Sequence, residues 1–167
     1  DARKQITHGG SMRYYICKKN RYPVSERCKK VFNNEKKMGL DNISTFIKFG
    51  SKVQQSKKKL VALLRKIKAQ GKEIFAYGAT SKSTTIFNYC NIDSKLVTYY
   101  FDNTPIKQNK LSPGVHIPVL SFKKLKKYPE YFFLSAWNHS KEIMSKEKKF
   151  KKAGGKWITH VPSVKII

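Results

Sequence analysis

From Gly71 onward, short runs of aromatic and β-branched residues alternate with segments of helical spacing. The runs are Ile74–Tyr77, Val97–Phe101, Tyr131–Ala136 and Trp157–Val161. Between them lie helical segments at Lys82–Tyr89, Phe122–Lys127 and Ser140–Lys152, the last closed by Gly154-Gly155. A helix between two strands lets the second strand run parallel to the first, because a parallel pair needs a long crossover. The alternation therefore predicts an α/β fold with a mostly parallel sheet flanked by helices. Ligands of such sheets bind outside the carboxyl ends of the strands, so those ends are where functional residues are sought.

Upstream the pattern differs. His8-Gly9-Gly10-Ser11 reads as a turn and Met12–Cys17 as a strand, since its aromatic and β-branched residues suit a pleated surface. Pro23 can open a helix that ends near Gly39. Asp41 or Asn42 can cap a longer helix, whose apolar positions run from Ile43 through Phe46, Ile47, Leu60, Leu64 and Ile67 at helical spacing until Gly71 ends it. The expected organisation has three parts: residues 1–13, a strand plus helical connector over 14–70, and an α/β domain over 71–167.

The chain has 167 residues and is 40% hydrophobic, enough for a real core and against disorder. No apolar run approaches the roughly 18 residues that span a bilayer, so no membrane partner is expected. The first residue is Asp1, and a truncated or processed start is one reading of that. The formal net charge is +26, which attracts polyanions in a salt-dependent way and makes nucleic acid a rival partner. The charge is spread, however. Residues 1–70 carry 19 basic and 4 acidic side chains, and residues 71–167 carry 17 and 6. Few of the basic residues are Arg, the side chain that favours base readout, so a Lys-rich solvated surface with nonspecific affinity is the simpler reading. Cys17, Cys28 and Cys90 lie too far apart for a C-x-x-C metal signature. Their odd number fits reduced, buried thiols in a cytoplasmic protein.

The segment Tyr77-Gly78-Ala79-Thr80-Ser81-Lys82-Ser83-Thr84-Thr85-Ile86-Phe87-Asn88 follows one of the strand ends. A strand, a tight turn and a helix start leave free N–H groups that favour an anion. Lys82 adds charge and the hydroxyls add donors. With the single glycine Gly78 it is neither G-x-G-x-x-G nor a P-loop, which weakens a dinucleotide-binding reading. Asp102 ends the next strand, 24 residues after Gly78. There it either accepts from a ribose or shapes a turn. Asn138 follows a later strand and either pairs with a base or sugar hydroxyl or caps the next helix. The irregular loop Thr104–Pro118 supplies Lys107 and His116 as anion contacts, although the apolar neighbours of His116 favour a packed, hydrogen-bonded histidine. No nucleophile, base and orienter set is evident, and no Gly-rich S-adenosylmethionine loop.

Several motifs in order carry a resemblance. They are Tyr77-Gly78-Ala79 with Lys82, Thr85 and Asn88-Tyr89-Cys90; Phe101-Asp102; Lys107-Gln108; Ser112-Pro113-Gly114 with His116-Ile117-Pro118; and Ala136-Trp137-Asn138. Together with His8–Arg13 and Met38–Asp41 they resemble the C-terminal domain of S-adenosylmethionine-dependent sugar C-methyltransferases. The resemblance implies a Rossmann-like domain that helps hold a nucleotide-linked deoxysugar. It further implies a full enzyme that enolises a 4-keto-sugar and methylates the adjacent carbon. It assigns Tyr77, Gly78, Ala79, Lys82, Thr85 and Asn88 to the sugar-nucleotide side, with Asp102, Lys107, His116 and Asn138 as further candidates. It places S-adenosylmethionine, a structural zinc and the catalytic base in an upstream methyltransferase domain, in cis or in trans, so this chain by itself is expected to be inactive. Only the end of that domain, about residues 1–13, would be present. Ser83 and Thr84 depart from the family's pattern, standing where Gly-Asn is expected.

Overall fold

The computed structural model describes residues Asp1–Ile167. The chain divides into two compact units, Asp1–Val53 and Gln54–Ile167. The first unit opens on a hairpin of β1 (Ala2–Gln5) and β2 (Ser11–Tyr14), antiparallel with Arg3 opposite Arg13. Sequence reasoning placed a strand at Met12–Cys17 and missed its partner, because Ala-Arg-Lys-Gln has no strand propensity. The strand stops at Tyr14, which leaves Cys17 exposed rather than buried. Helix α1 (Glu26–Lys37) starts at Ser25, whose hydroxyl accepts from the Cys28 amide at 3.1 Å. It ends with Gly39 at φ +67°, a backbone that other residues adopt at a cost.

Helix α2 (Ile43–Ala69) follows, with Asn42 accepting from the Ser44 amide at its start and Gly71 at φ +69° after its end, as the spacing predicts. In the second unit come β3 (Ile74–Tyr77), α3 (Ser81–Cys90), β4 (Tyr100–Phe101), β5 (Lys110–Leu111) and β6 (Pro118–Leu120). Then follow β7 (Tyr131–Leu134), α4 (Ser140–Lys146), α5 (Lys148–Lys152), β8 (Lys156–Thr159) and β9 (Lys165–Ile166). The sheet has seven strands in the order β5-β6-β4-β3-β7-β8-β9. The five inner strands are parallel; β5 and β9 pair antiparallel at the two edges. The expected α/β fold with a mostly parallel sheet is observed.

Alternation along the strands divides the core in two. On one face Ile74, Ala76, Tyr100, Val119, Phe133 and Ile158 meet Leu60, Leu64 and Ile67 of α2 and Phe87 and Cys90 of α3. On the other, Phe101, Phe132, Leu134 and Trp157 meet Phe150 of α5 and Ile143 and Met144 of α4. Tyr77 belongs to this second face. Its ring packs on Phe122 and Trp157 and its O–H donates to Glu147 at 2.7 Å. Glu147 itself leaves helical geometry (φ −89°, ψ 43°), which splits the expected Ser140–Lys152 helix into α4 and α5.

Two further expectations change. The expected helix at Phe122–Lys127 is a single 3-10 turn at Phe122–Lys124. The crossover from β4 to β6 holds no α-helix, only a 3-10 turn at Pro105–Lys107 and the short β5. Strands β5 and β6 went unseen because each is two or three residues long and β6 begins with Pro118.

Candidate functional site

The turn between β3 and α3 is built by a reciprocal cap. The Thr80 hydroxyl accepts from the Ser83 amide at 3.1 Å, and the Ser83 hydroxyl accepts from the Thr80 amide at 3.1 Å while donating to the Thr80 carbonyl at 2.8 Å. Such a box satisfies two of the free amides of a helix start. Ser83, buried, thus closes the cap that a departure from the family pattern left in question. The Ser81 and Lys82 amides keep no protein acceptor and remain at the positive end of the α3 dipole. Gly78 takes φ +87°, which lets the chain turn directly off the strand.

Asp102 locks this turn to the next loop. One carboxylate oxygen accepts from the Ala79 amide at 2.8 Å and the other from the Thr104 amide at 2.7 Å. Lys107 stands 3.3 Å from the same carboxylate and donates to the Ala79 carbonyl at 2.8 Å, while Gln108 donates to the Asp102 carbonyl at 2.9 Å. The Asp102 side chain is 8% exposed. Burial pushes its carboxyl up, but Thr104, Ala79 and Lys107 outweigh that and hold it below the usual carboxylate range. Every partner is a donor, so Asp102 is spent on the protein's own turn. With three donors on its two oxygens and 8% of the side chain exposed, it is held by the protein rather than presented to the ribose of a dinucleotide or of S-adenosylmethionine. The residues of this turn therefore do not fit that cofactor.

Beside the turn lies a cavity of about 550 Å³. It runs along the first turns of α3 and reaches the edges of the buried Tyr100 of β4 and Val119 of β6. Its polar wall is Thr80, Ser81, Thr84, Thr85, Lys107 and Lys110, its apolar part Ile106, Leu111, Pro113 and Val119, and Tyr100 is on its floor. No acidic side chain lines it. The arrangement suits an anion that also carries an apolar, flat portion.

Of the residues singled out from sequence, Ala79, Thr85 and Lys107 line this cavity, and Gly78 and Asp102 form the turn behind it. Asn88 braces its far side, donating to the carbonyls of Thr84 at 2.8 Å and Pro113 at 3.0 Å. A side chain on Gly114, at φ +81°, would overlap the Asn88 amide. Tyr77 faces the opposite side of the sheet. Lys82 sits on the first turn of α3, outside the lining, with no hydrogen bond or ion pair. His116 is exposed at φ 52°, away from the cavity, because its neighbours Val115 and Ile117 take the inward positions. Asn138 lies in a 3-10 turn at Trp137–His139 and neither lines the cavity nor caps α4. Sequence reasoning missed Tyr100, Ser112 and Val119. An aromatic and a β-branched residue in strands read as core, and Tyr100 and Val119 are core residues that touch the cavity only at its base.

No group of three or more His, Cys, Asp or Glu side chains is placed to hold a metal ion, and no helix is long and apolar enough to cross a membrane. The family profile described as C-methyltransferase C-terminal domain matches residues 6–162. The C-methyltransferase NovU of Streptomyces niveus is 27% identical over 169 residues, an alignment that takes in all of this chain and 40% of that protein. The chain thus spans about two fifths of the length of that relative.

Proposed function

The chain belongs to the C-methyltransferase C-terminal domain family, and from that premise we propose that it is the nucleotide-sugar-binding part of a sugar C-methyltransferase. The observation that carries the reading is the cavity beside α3. It lies outside the carboxyl ends of parallel strands, where such sheets bind ligands. It joins two lysines, free helix-start amides and hydroxyls to an apolar wall, with no acid to repel a phosphate. A nucleoside diphosphate sugar has that division into anionic and flat apolar parts.

In this reading the chain's residues bind and orient. The Ser81 and Lys82 amides and Lys110 take phosphate oxygens, and Asp102 holds Lys107 and the α3 turn rigid before the ligand arrives. The substrate is a 4-keto-deoxysugar carried on the nucleotide, and the methyl group goes to the carbon beside the keto group. S-adenosylmethionine supplies that methyl group when bound elsewhere in the full enzyme; no residue of this chain is assigned to it or to proton abstraction. Alone, the chain binds and does not methylate.

Calorimetric titration of the 167-residue chain with dTDP-, UDP- and GDP-linked sugars tests this. At least one should bind, and Lys110→Ala should weaken binding about 3- to 10-fold, as expected for one charge near an exposed phosphate. Heat from none of them, with a folded sample, would sink the reading.

The partner is a methyltransferase domain in the same or another chain. Of the first unit's residues only Ala2 is buried, whereas Ile6 is 98%, Ile16 94%, Ile43 73% and Phe49 65% exposed. In this reading these exposed apolar side chains are what the partner covers, and the relative carries a further three fifths of its length beyond the part matched here. Sedimentation velocity should show the chain binding a co-expressed methyltransferase segment of a family member, with Ile43→Lys and Phe49→Lys breaking the complex. Self-association through the same residues would instead assign the surface to a second copy.

A further inference from the structure

Tyr77 takes no part in the cavity beside α3, and its contacts lead to a second one. Its hydroxyl donates to the Glu147 carboxylate at 2.7 Å, and its ring packs on Phe122 at 4.7 Å. Phe122 and Glu147 are two walls of a separate pocket of about 360 Å³, which Asn103, Lys126, Lys127 and Tyr128 also line. It shares no residue with the first cavity. Asn103 comes two residues after β4 and Phe122 two residues after β6, so the pocket opens at the carboxyl ends of those strands, where parallel sheets bind ligands. Phe122 and Tyr128 pack on the core of the second face, whereas Tyr100 and Val119 at the base of the first cavity belong to the other. The two cavities therefore lie on opposite faces of one end of the sheet.

The polar groups of the pocket define the ligand that fits. Tyr77 occupies one oxygen of Glu147 and leaves the other to accept. Burial, with the carboxylate beside it, pushes the Tyr77 phenol up, so it donates throughout the physiological range and holds Glu147 as an acceptor. Around that acceptor stand the Lys126 and Lys127 ammoniums, and the Asn103 amide and Tyr128 hydroxyl, each of which both donates and accepts. A bare anion would meet Glu147, and a bare cation would meet the two lysines. A ring bearing hydroxyls meets neither objection, because every hydroxyl donates and accepts. Phe122 and Tyr128 give apolar surface to the C–H face of such a ring. The volume is at the small end of ligand pockets, which suits a single ring.

We infer that this pocket binds a pyranose ring, with Glu147 accepting from its hydroxyls, Asn103 and the lysines donating, and Phe122 against its apolar face. Tyr77 is a positioning residue, since it touches Glu147 and acts through it. The pocket goes beyond the nucleotide-sugar reading and stands apart from it, because the two cavities have no residue in common. A free monosaccharide and the sugar unit of a nucleotide sugar present the same chemistry, and the experiment tells them apart.

Backbone amide shifts of the isotope-labelled 167-residue chain are followed by NMR on titration with D-glucose, L-rhamnose, dTDP-glucose, dTDP and inorganic pyrophosphate, with urea unfolding in parallel. At least one sugar-bearing probe should shift Leu125, Tyr128 and Glu147, and dTDP and pyrophosphate should not. A response to free sugars assigns the pocket to a monosaccharide; a response to dTDP-glucose alone assigns it to the sugar unit of the nucleotide sugar. Glu147→Gln should weaken that binding about 10-fold, the size of one hydrogen bond to a charged acceptor, and Asn103→Ala about 3-fold. Tyr77→Phe should weaken it too, and joining it to Glu147→Gln should add nothing; a fully additive loss would overturn the positioning role. No shift at these residues with any sugar, in a folded sample, overturns the inference. So does an equal response to pyrophosphate, which would make this an anion site, or sugar affinity that survives both Glu147→Gln and Asn103→Ala. The nucleotide-sugar reading fails on a different result, no heat from any nucleotide sugar, and a response to free sugars would outlast that failure.

Discussion

Asp102→Asn separates a carboxylate that holds the protein together from one that waits for a ligand. The wild-type side chain receives three donors: the Ala79 amide at 2.8 Å, the Thr104 amide at 2.7 Å and Lys107 at 3.3 Å. They divide between both oxygens. An amide has one oxygen, so its NH₂ must face a donor whichever way it turns. At least one charge-assisted hydrogen bond is lost in a nearly closed site, which costs about 2–3 kcal/mol. With a urea dependence of about 1.5 kcal/mol per molar for a domain of this size, the midpoint should fall by roughly 1–2 M. Trp137 and Trp157 are the only tryptophans and both lie in the second unit, so their fluorescence reports on the unit that contains Asp102. The pH dependence supplies a second signature. Because the folded carboxyl titrates below its unfolded value of about 4, its contribution is complete above that pH and disappears as pH falls through the lower, folded value. The gap between wild type and Asp102→Asn should therefore be full at pH 7 and close only as pH falls through the lowered, folded value. An unchanged midpoint at pH 7 would mean that the oxygens are free, and the locked-turn account would be wrong.

His160 gives a second pH test. Burial pushes its imidazole down to about 4, and it stacks on Phe133 with ring centroids 5.1 Å apart. The unfolded chain takes up this proton near pH 6.5 and the folded one does not, so about 3 kcal/mol should be lost between pH 6.5 and 4. His160→Phe should remove that slope from tryptophan-monitored unfolding, and an unaltered slope would assign it to another group. Gly114→Ala forces a side chain against Asn88 at a positive φ. It should cost about 1–3 kcal/mol and weaken nucleotide-sugar binding; a neutral result in both assays would show the loop to be uncoupled from α3. The net charge of +26 predicts retention on heparin that falls steeply with salt and shows no preference among nucleic-acid sequences, and a marked preference in a competition assay would revive a nucleic-acid role.

The parts of the fold legible in sequence were those whose residues decide their own conformation. Ile74–Tyr77, the hydroxyl-rich start of α3 and the long apolar stripe of α2 carry their signals within a few turns. Strands β1, β5, β6 and β9 are short, polar or proline-bearing, and exist because a neighbour offers a ladder. The cavity divides along the same line. Ala79, Thr85 and Lys107 sit in segments whose chemistry announces a ligand site, and they line it. The sequence leaves Asp102 open between ribose acceptor and turn residue; its donors decide for the turn, a fact set by distances across 23 residues of chain.

The sheet's two margins have a consequence for how the molecule behaves in a crowded solution. A parallel interior of Phe- and Ile-rich strands would be a hazard if its rim were open, since unpaired main-chain groups invite strands from other chains. Both margins are instead closed by antiparallel strands of two residues, β5 and β9, each opening with a lysine. A strand that short gives an intruder almost no ladder to extend, and the charge penalises a flat approach. Purification and concentration of the second unit should therefore be limited by its ionic surroundings rather than by cross-β aggregation.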